Sequence, residues 1–132
     1  MPSLKLKAQL LNEGMIAFGP GKADLLEAIE KTGSIAAAAR EMNMSYRRAW
    51  LLADAMNRSF GSPLIVTDRG GAARGGAQVT PLGKKILARY RLLQGALERA
   101  AAIHARSLIA ELAATETEDS GRKSRLRKPG PK

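Results

Sequence analysis

The segment Ser45-Tyr46-Arg47-Arg48 gathers the residues of this sequence best suited to chemistry. A serine able to cap a helix is followed by two guanidinium groups within the first helical turn. Positive charge at that end opposes the helix dipole and costs about 0.3 to 1 kcal/mol per residue, the reverse of what a purely structural helix selects. An anion offsets that cost. Backbone amides and guanidinium forks there suit phosphates, or the forks donate in pairs to guanine O6 and N7 in a major groove. The plainer reading is two solvated arginines on long, snorkelling stems. One turn beyond Tyr46, Trp50 is read as a core or interface anchor or as a further nucleic-acid contact.

A second candidate is the run Arg69-Gly70-Gly71-Ala72-Ala73-Arg74-Gly75-Gly76. Its four glycines permit positive φ and close backbone approach, while Arg69 and Arg74 reach a phosphate or a narrow minor groove. The alternative is a hairpin loop with incidental charge. Nucleotide hydrolysis is not supported: neither G-x-x-x-x-G-K-[ST] nor G-x-G-x-x-G can be read in the run, and Gly21-Lys22 is followed by Ala23. The chain has no cysteine and one histidine, His104. Disulfides, thiol nucleophiles and Cys/His zinc sites are thereby excluded, and no histidine is spare for a Ser-His-Asp triad. His104 itself lies on an apolar helical stripe, the ordinary place of a core or interface histidine. No catalytic residue, metal or cofactor is expected, and the chain is not read as an enzyme.

The 132 residues carry 22 Lys+Arg against 12 Asp+Glu, a formal charge of +10, with 45% hydrophobic but only 4% aromatic residues. That length suits one compact domain with an appendage, and the composition suits an aliphatic, Ala- and Leu-rich helical core. So basic a chain points to a nucleic acid before other partners. There is no run of 18 apolar residues, and the N-terminus leads into alternation instead of an apolar signal core. Neither a membrane span nor a secretory leader is therefore expected, and the expected location is the cytoplasm, in association with the nucleoid.

The elements that must position these residues follow from periodicity. Leu4 to Leu10 alternates apolar and polar and is read as a strand, Asn12-Glu13-Gly14 as a turn, and Met15 to Phe18 as the returning strand, stopped by Gly19-Pro20-Gly21. A first helix is expected over Ala23 to Lys31, with Asp24 and Glu27 near its positive end and Gly33 just beyond its C-terminus. Ser34 caps a short, alanine-rich helix over Ile35 to Met42, Asn43-Met44 breaks it, and Ser45 caps a third helix to about Phe60. Two helices joined by so short a turn make a helix-turn-helix pattern. The buried stripe of the third helix is Ala49, Leu52, Ala53, Met56 and Phe60. Leu64 to Thr67 and Gln78 to Thr80 are read as paired strands around the Gly/Arg run. Thr80-Pro81 then opens a long helix to Ala113, interrupted only by Gly95. Along it Ile86, Tyr90, Leu93, Leu97, Ala101 and His104 recur at three or four residues, beside a second apolar set. A helix apolar on two sides calls for a second chain. The last residues, 115–132, with a basic cluster from Arg122 to Lys128, are expected to be disordered: a solvated tail or an extra phosphate contact.

In this order, the strings Gly-Ser-Ile-Ala-Ala-Ala-Ala (33–39), Met-Ser-Tyr-Arg-Arg-Ala-Trp (44–50), Asn57-Arg58-Ser59-Phe60 and Thr80-Pro81-Leu82-Gly83, with the Gly-rich segment between, resemble the DNA-binding half of the ModE family of molybdate-responsive bacterial regulators. The resemblance covers roughly residues 4–113. Gly-Ser-Ile with its alanines and Val-Thr-Pro-Leu-Gly (79–83) are shared more widely with LysR-type regulators. It implies that Ser45, Tyr46, Arg47 and Arg48 open a recognition helix, that Arg69 to Gly76 is a wing, and that the Pro81 helix pairs two subunits. The Ala72-Ala73-Arg74 interruption departs from the near-continuous glycine run of that family's wing. The regulators named for molybdate carry C-terminal oxyanion-binding domains, whereas only a charged tail follows Ala113, so molybdate or another oxyanion effector is not carried over.

The fold expected is mainly α with small β: a winged helix-turn-helix over residues 1–114, with an N-terminal hairpin and a long C-terminal dimerisation helix from about residue 81. The function expected is a sequence-specific transcriptional regulator that binds double-stranded DNA as a homodimer. Helix 45–60 would enter the major groove, with Ser34, Ser45, Tyr46, Arg47, Arg48 and the wing residues Arg69, Gly70, Gly71, Arg74, Gly75 and Gly76 in contact. The dimer would close through Ile86, Tyr90, Leu93, Leu97, Ala101 and His104. Alternatives are a nucleoid-type architectural protein of low sequence preference, and a module that recruits a protein partner through the long helix.

Overall fold

The computed structural model describes residues 1–68 and 76–119, with side chains placed through residue 112. Strands β1 (Leu10–Asn12) and β2 (Met15–Phe18) come first, then helices α1 (Pro20–Thr32), α2 (Ile35–Glu41) and α3 (Tyr46–Ser59). Strands β3 (Ile65–Thr67) and β4 (Ala77–Val79) and the long helix α4 (Pro81–Asp119) complete the order. Each strand pair forms its own antiparallel two-stranded sheet. The architecture is mainly helical with small sheets, and it divides into two units: residues 7–94, and residues 1–6 with 95 onward.

In the 7–94 unit, Phe18, Leu25, Leu26, Ile29, Met56 and Leu64 are the largest fully buried side chains. Small residues (Ala23, Ala38, Ala39, Ala49 and Ala53) fill the spaces between the three helices, and their size is what lets short helices pack closely. Phe18 anchors the centre, edge-on to Phe60 at 6.0 Å and to Tyr90 at 5.1 Å. Three of the five aromatic residues thus meet at one point.

Three expectations about the first elements are corrected. The first strand is confined to Leu10–Asn12 instead of Leu4 to Leu10, because β2 offers only four residues to pair with; the register slips between Leu10 and Leu11. The turn is Glu13-Gly14 alone, both at positive φ (53° and 82°), with Asn12 already paired to Met15. Pro20 does not stop the chain but starts α1, in a position where its missing N–H costs nothing. Asp24 and Glu27 therefore lie past the first turn, and both instead bind the guanidinium of Arg91, Asp24 at 3.0 Å. Burial opposes the charge on Arg91, but the hydrogen bonds it donates to Glu27 and Asp24 outweigh that and hold its pKa above the usual value.

The start of α4 is fixed by a two-way cap. Thr80 Oγ1 accepts from the Gly83 amide at 3.0 Å and donates to the Pro63 carbonyl at 2.8 Å. A Cβ at Gly83 would lie 2.5 Å from the Leu64 carbonyl oxygen, so glycine is what lets helix and strand meet. Tyr90 corrects a further expectation: placed on the dimer stripe by periodicity, it is buried within its own unit, its hydroxyl donating to the Ala8 carbonyl at 2.6 Å. Burial pushes its phenol pKa up. Ile86 is half-buried against the same core.

In the other unit, Leu4 and Leu6 line a groove with Ala102, Ala105 and Ile109, and Ala105 is buried. Helix α4 continues to Asp119, past the domain boundary expected at 114, so residues 115–119 are helical instead of a disordered tail. The remainder of the expected tail, 120–132, lies outside the described residues.

Candidate nucleic-acid interface

Helices α2 and α3 are joined by Met42-Asn43-Met44-Ser45. Asn43 takes φ 56°, the left-handed conformation that asparagine tolerates, and the Met44 amide donates back to the Ala39 carbonyl at 3.0 Å. Both helices begin on serine caps. Ser34 Oγ accepts from the Ala37 amide at 2.9 Å, and Ser45 Oγ accepts from the Arg48 amide at 3.0 Å. Both hydroxyls thereby act as cap acceptors, and of the backbone amides at the start of α3 that of Arg48 is taken up by Ser45.

Residues on α3 sort by helical geometry, about 100° apart. Ala49, Ala53 and Met56 form the buried stripe, with Leu52 and Phe60 half-buried at its margins. Opposite it, Arg47, Leu51 and Arg58 are exposed, beside a half-buried Asp54. Tyr46 and Trp50, one turn apart and also exposed, take one flank, and Arg48 takes the other. Trp50 is 44% exposed, which removes the reading of it as a core anchor. It borders a shallow groove with Ile35, Asn57, Ile65 and Thr67.

Charge is distributed unevenly along the outward face. Arg58 donates to Asp54 at 3.0 Å, so the C-terminal half of α3 is internally neutralised. Arg47 and Arg48 have no carboxylate partner within 4.0 Å among the described residues. Nearby positive charge persists on α1, where Lys22 donates to the Ile16 carbonyl at 2.8 Å; burial and the charge of Arg58 lower its pKa.

A residue that sequence reasoning gave no role connects the helix to the sheet. Asn57 Oδ1 accepts from the Leu64 and Ile65 amides at 2.8 and 3.0 Å, and its Nδ2 donates to the Ile65 carbonyl at 2.9 Å. Its signals in the sequence are its place in the Asn57-Arg58-Ser59-Phe60 string and an amide side chain beside the apolar stripe. The β3–β4 stem pairs Ile65 with Val79, Val66 with Gln78 and Thr67 with Ala77, one residue earlier on β4 than expected, Thr80 being the cap of α4. The Asp68 amide donates to the Gly76 carbonyl at 2.9 Å, closing the stem, and the Ala77 amide donates to the Gly33 carbonyl at 2.8 Å, tethering it to the α1–α2 junction. Of the expected wing contacts, Gly76 is half-buried at the stem; Arg69, Gly70, Gly71, Arg74 and Gly75 lie outside the described residues.

On α4, Leu93, Leu97 and His104 are exposed and Ala101 half-buried, whereas Tyr90 and most of Ile86 are covered by their own unit. Among the described residues no group of three His, Cys, Asp or Glu side chains could hold a metal ion, and no helix is long and apolar enough to cross a membrane.

No family model matches the chain. It is similar to the molybdenum-pterin-binding protein MopB of Rhodobacter capsulatus, 42% identical over 82 residues, covering 62% of this chain and 30% of MopB. It is also similar to the molybdenum transport protein ModE of Azotobacter vinelandii, 47% identical over 79 residues (57% and 29%). The DNA-binding transcriptional dual regulator ModE of Escherichia coli K12 is 32% identical over 91 residues (69% and 32%). The chain thus spans about a third of the length of these curated relatives, whose names are those of regulators, transport and binding proteins and not of enzymes. Among solved structures it superposes on the CbnR DNA-binding domain in its DNA complex with a TM-score of 0.50 at 24% identity, over 69% of this chain and 95% of that one. It superposes on VV2_1132, a LysR family transcriptional regulator, with a TM-score of 0.51 at 17% identity, over 66% of this chain and 28% of that one. With its two serine-capped helices, its short break at Asn43 and its β3–β4 stem, the chain carries a ModE-like helix-turn-helix domain with the winged-helix fold of LysR-type regulators.

Proposed function

We propose that this chain is a transcriptional regulator that binds double-stranded DNA in a sequence-specific manner, with α3 as the recognition helix. The observation that carries the reading is the N-terminal half of α3: Arg47 and Arg48 stand exposed, against the helix dipole, with no carboxylate partner among the described residues. Charge so placed is stabilised by a polyanion, with phosphate contacts supplying affinity and base edges supplying sequence preference. Tyr46 borders the same surface, and Ser34 and Ser45 cap the starts of the two helices of the helix-turn-helix. The ModE relatives named as regulators support the same reading.

We further propose that the regulator is a homodimer joined through α4, at Leu93, Leu97, Ala101 and His104. Tyr90 is not part of this surface, and Ile86 only marginally so. A two-fold pair sets two recognition helices against half-sites one or more turns of duplex apart, so the expected operator is an inverted repeat.

The test is a titration of duplexes selected from a random-sequence pool against scrambled duplex at several salt concentrations. Arg47→Ala and Arg48→Ala are each expected to weaken the selected site, with the thermal midpoint unchanged or slightly raised. Equal affinity of the wild type for selected and scrambled duplex would favour an architectural protein instead, and unchanged affinity in both variants would remove α3 from the interface.

A further inference from the structure

We propose that Leu51 reads the 5-methyl group of a thymine in the major groove, beside the contact made by Arg47, and so acts as a specificity-determining residue. The proposal rests on the DNA-binding reading above. The structural basis is the position of one aliphatic side chain. The other large or buried aliphatic residues of α3 are spent on the core, Ala49, Ala53 and Met56 buried and Leu52 half-buried, and the exposed Trp50 lies on the flank beside Tyr46. Leu51 points the other way and is 47% exposed, between Arg47 one turn before it and Asp54 one turn after.

Its surroundings narrow the partner. Beyond Leu51 the face is neutralised by the Asp54–Arg58 pair, whereas on its N-terminal side Arg47 and Arg48 leave two uncompensated positive charges among the described residues. An aliphatic group in a cationic field is complemented by a polyanion that itself displays an apolar group. The major groove of DNA is such a surface, since thymine presents there a methyl group that cytosine, adenine and guanine lack. The spacing is compatible. Four residues of helix advance about 6 Å, against about 3.4 Å per base step along a DNA strand. Leu51 therefore reaches a base about two steps from the one nearest Arg47. The contact involves no hydrogen bond, so its contribution is that of removing one methyl group from water, about a fourfold change in affinity.

The experiment uses the full chain and duplexes that the wild type selects from a random-sequence pool. Each thymine is replaced in turn by deoxyuridine, which deletes the methyl group and preserves base pairing. One position per half-site is expected to cost the wild type about fourfold, at a base about two steps from the position whose identity ceases to matter in Arg47→Ala. In Leu51→Ala the thymine and uracil duplexes are expected to bind equally, with the thermal midpoint unmoved because the side chain is exposed. The assignment is overturned if no thymine in that window shows the loss, or if the loss persists in full in Leu51→Ala. A pool that yields no bound duplex overturns the DNA-binding reading itself, and is told apart by the absence of complex with every probe.

Discussion

The outward face of α3 and the exposed stripe of α4 beyond Gly95 are open to a similar degree but differ in chemistry. On α3 a single aliphatic residue, Leu51, stands among Arg47, Arg48, Asp54 and Arg58. On α4 the exposed residues Leu97, Leu108 and Leu112, eleven and four residues apart, fall on one helical face, and the exposed charges of the same segment, Glu98, Arg99, Arg106 and Glu111, are of both signs. Exposure alone therefore does not identify a partner; the composition of the exposed stripe does. A cationic rim around one methyl-bearing side chain matches a polyanion, and a repeated aliphatic stripe matches another apolar helix.

The strongest way to break this contrast is to put charge on the α4 stripe. Replacing both Leu93 and Leu97 with Glu forfeits about 1.5 to 3 kcal/mol per buried leucine at a dimer seam. The expected result is a monomer in sedimentation, with affinity for a two-half-site duplex falling well below the loss at a single half-site. A wild-type chain that is monomeric at micromolar concentration would instead leave the α4 stripe without the role assigned to it. Next in size, Arg47→Ala or Arg48→Ala is expected to cost about 1 to 3 kcal/mol of DNA affinity where a base edge is lost, without altering the oligomeric state. A shift in sedimentation with these variants would tie the α3 face to dimerisation and remove the contrast.

Asn57→Ala sharpens the comparison by disturbing the support of α3 alone. Two strand amides lose their acceptor, so a loss of about 1 to 3 kcal/mol in unfolding free energy is expected, with DNA affinity lowered and dimerisation intact. The smallest effect is expected from Tyr90→Phe, which removes one hydrogen bond, worth about 0.5 to 1.5 kcal/mol, and should spare both surfaces. Its pH dependence has a definite sign. Because burial raises the folded phenol pKa, the wild type keeps this contribution below the ordinary value of 10.0 and loses it as pH rises through the raised value. Alkaline denaturation curves of Tyr90→Phe should lack that component.

Most of the local architecture was legible from nearest neighbours in the chain. Ser34, Ser45 and Thr80-Pro81 mark helix starts, Gly33 ends α1 at φ 79°, and Asn43 breaks α2 from α3, because each of these signals is settled within about four residues. The stripe Ala49, Ala53 and Met56 was legible for the same reason, as was the exposed arginine pair that opens α3. The strand expected over Leu4 to Leu10 was not, since alternation states which side chains share a face but not how long a partner strand is available.

What the sequence determined by itself is the set of elements, their caps and the helix-turn-helix that presents Arg47 and Arg48. Tertiary structure alone decided which side chains are spent holding those elements together. Tyr90 left the dimer stripe for Phe18 and the Ala8 carbonyl, Arg91 found Asp24 and Glu27, and Asn57 became the clamp between α3 and β3. A period of three or four residues reports that a side chain faces something. Whether that something is its own core or a second molecule depends on residues distant in the chain: 82 positions separate Tyr90 from Ala8 and 67 separate Arg91 from Asp24, beyond the reach of any local pattern.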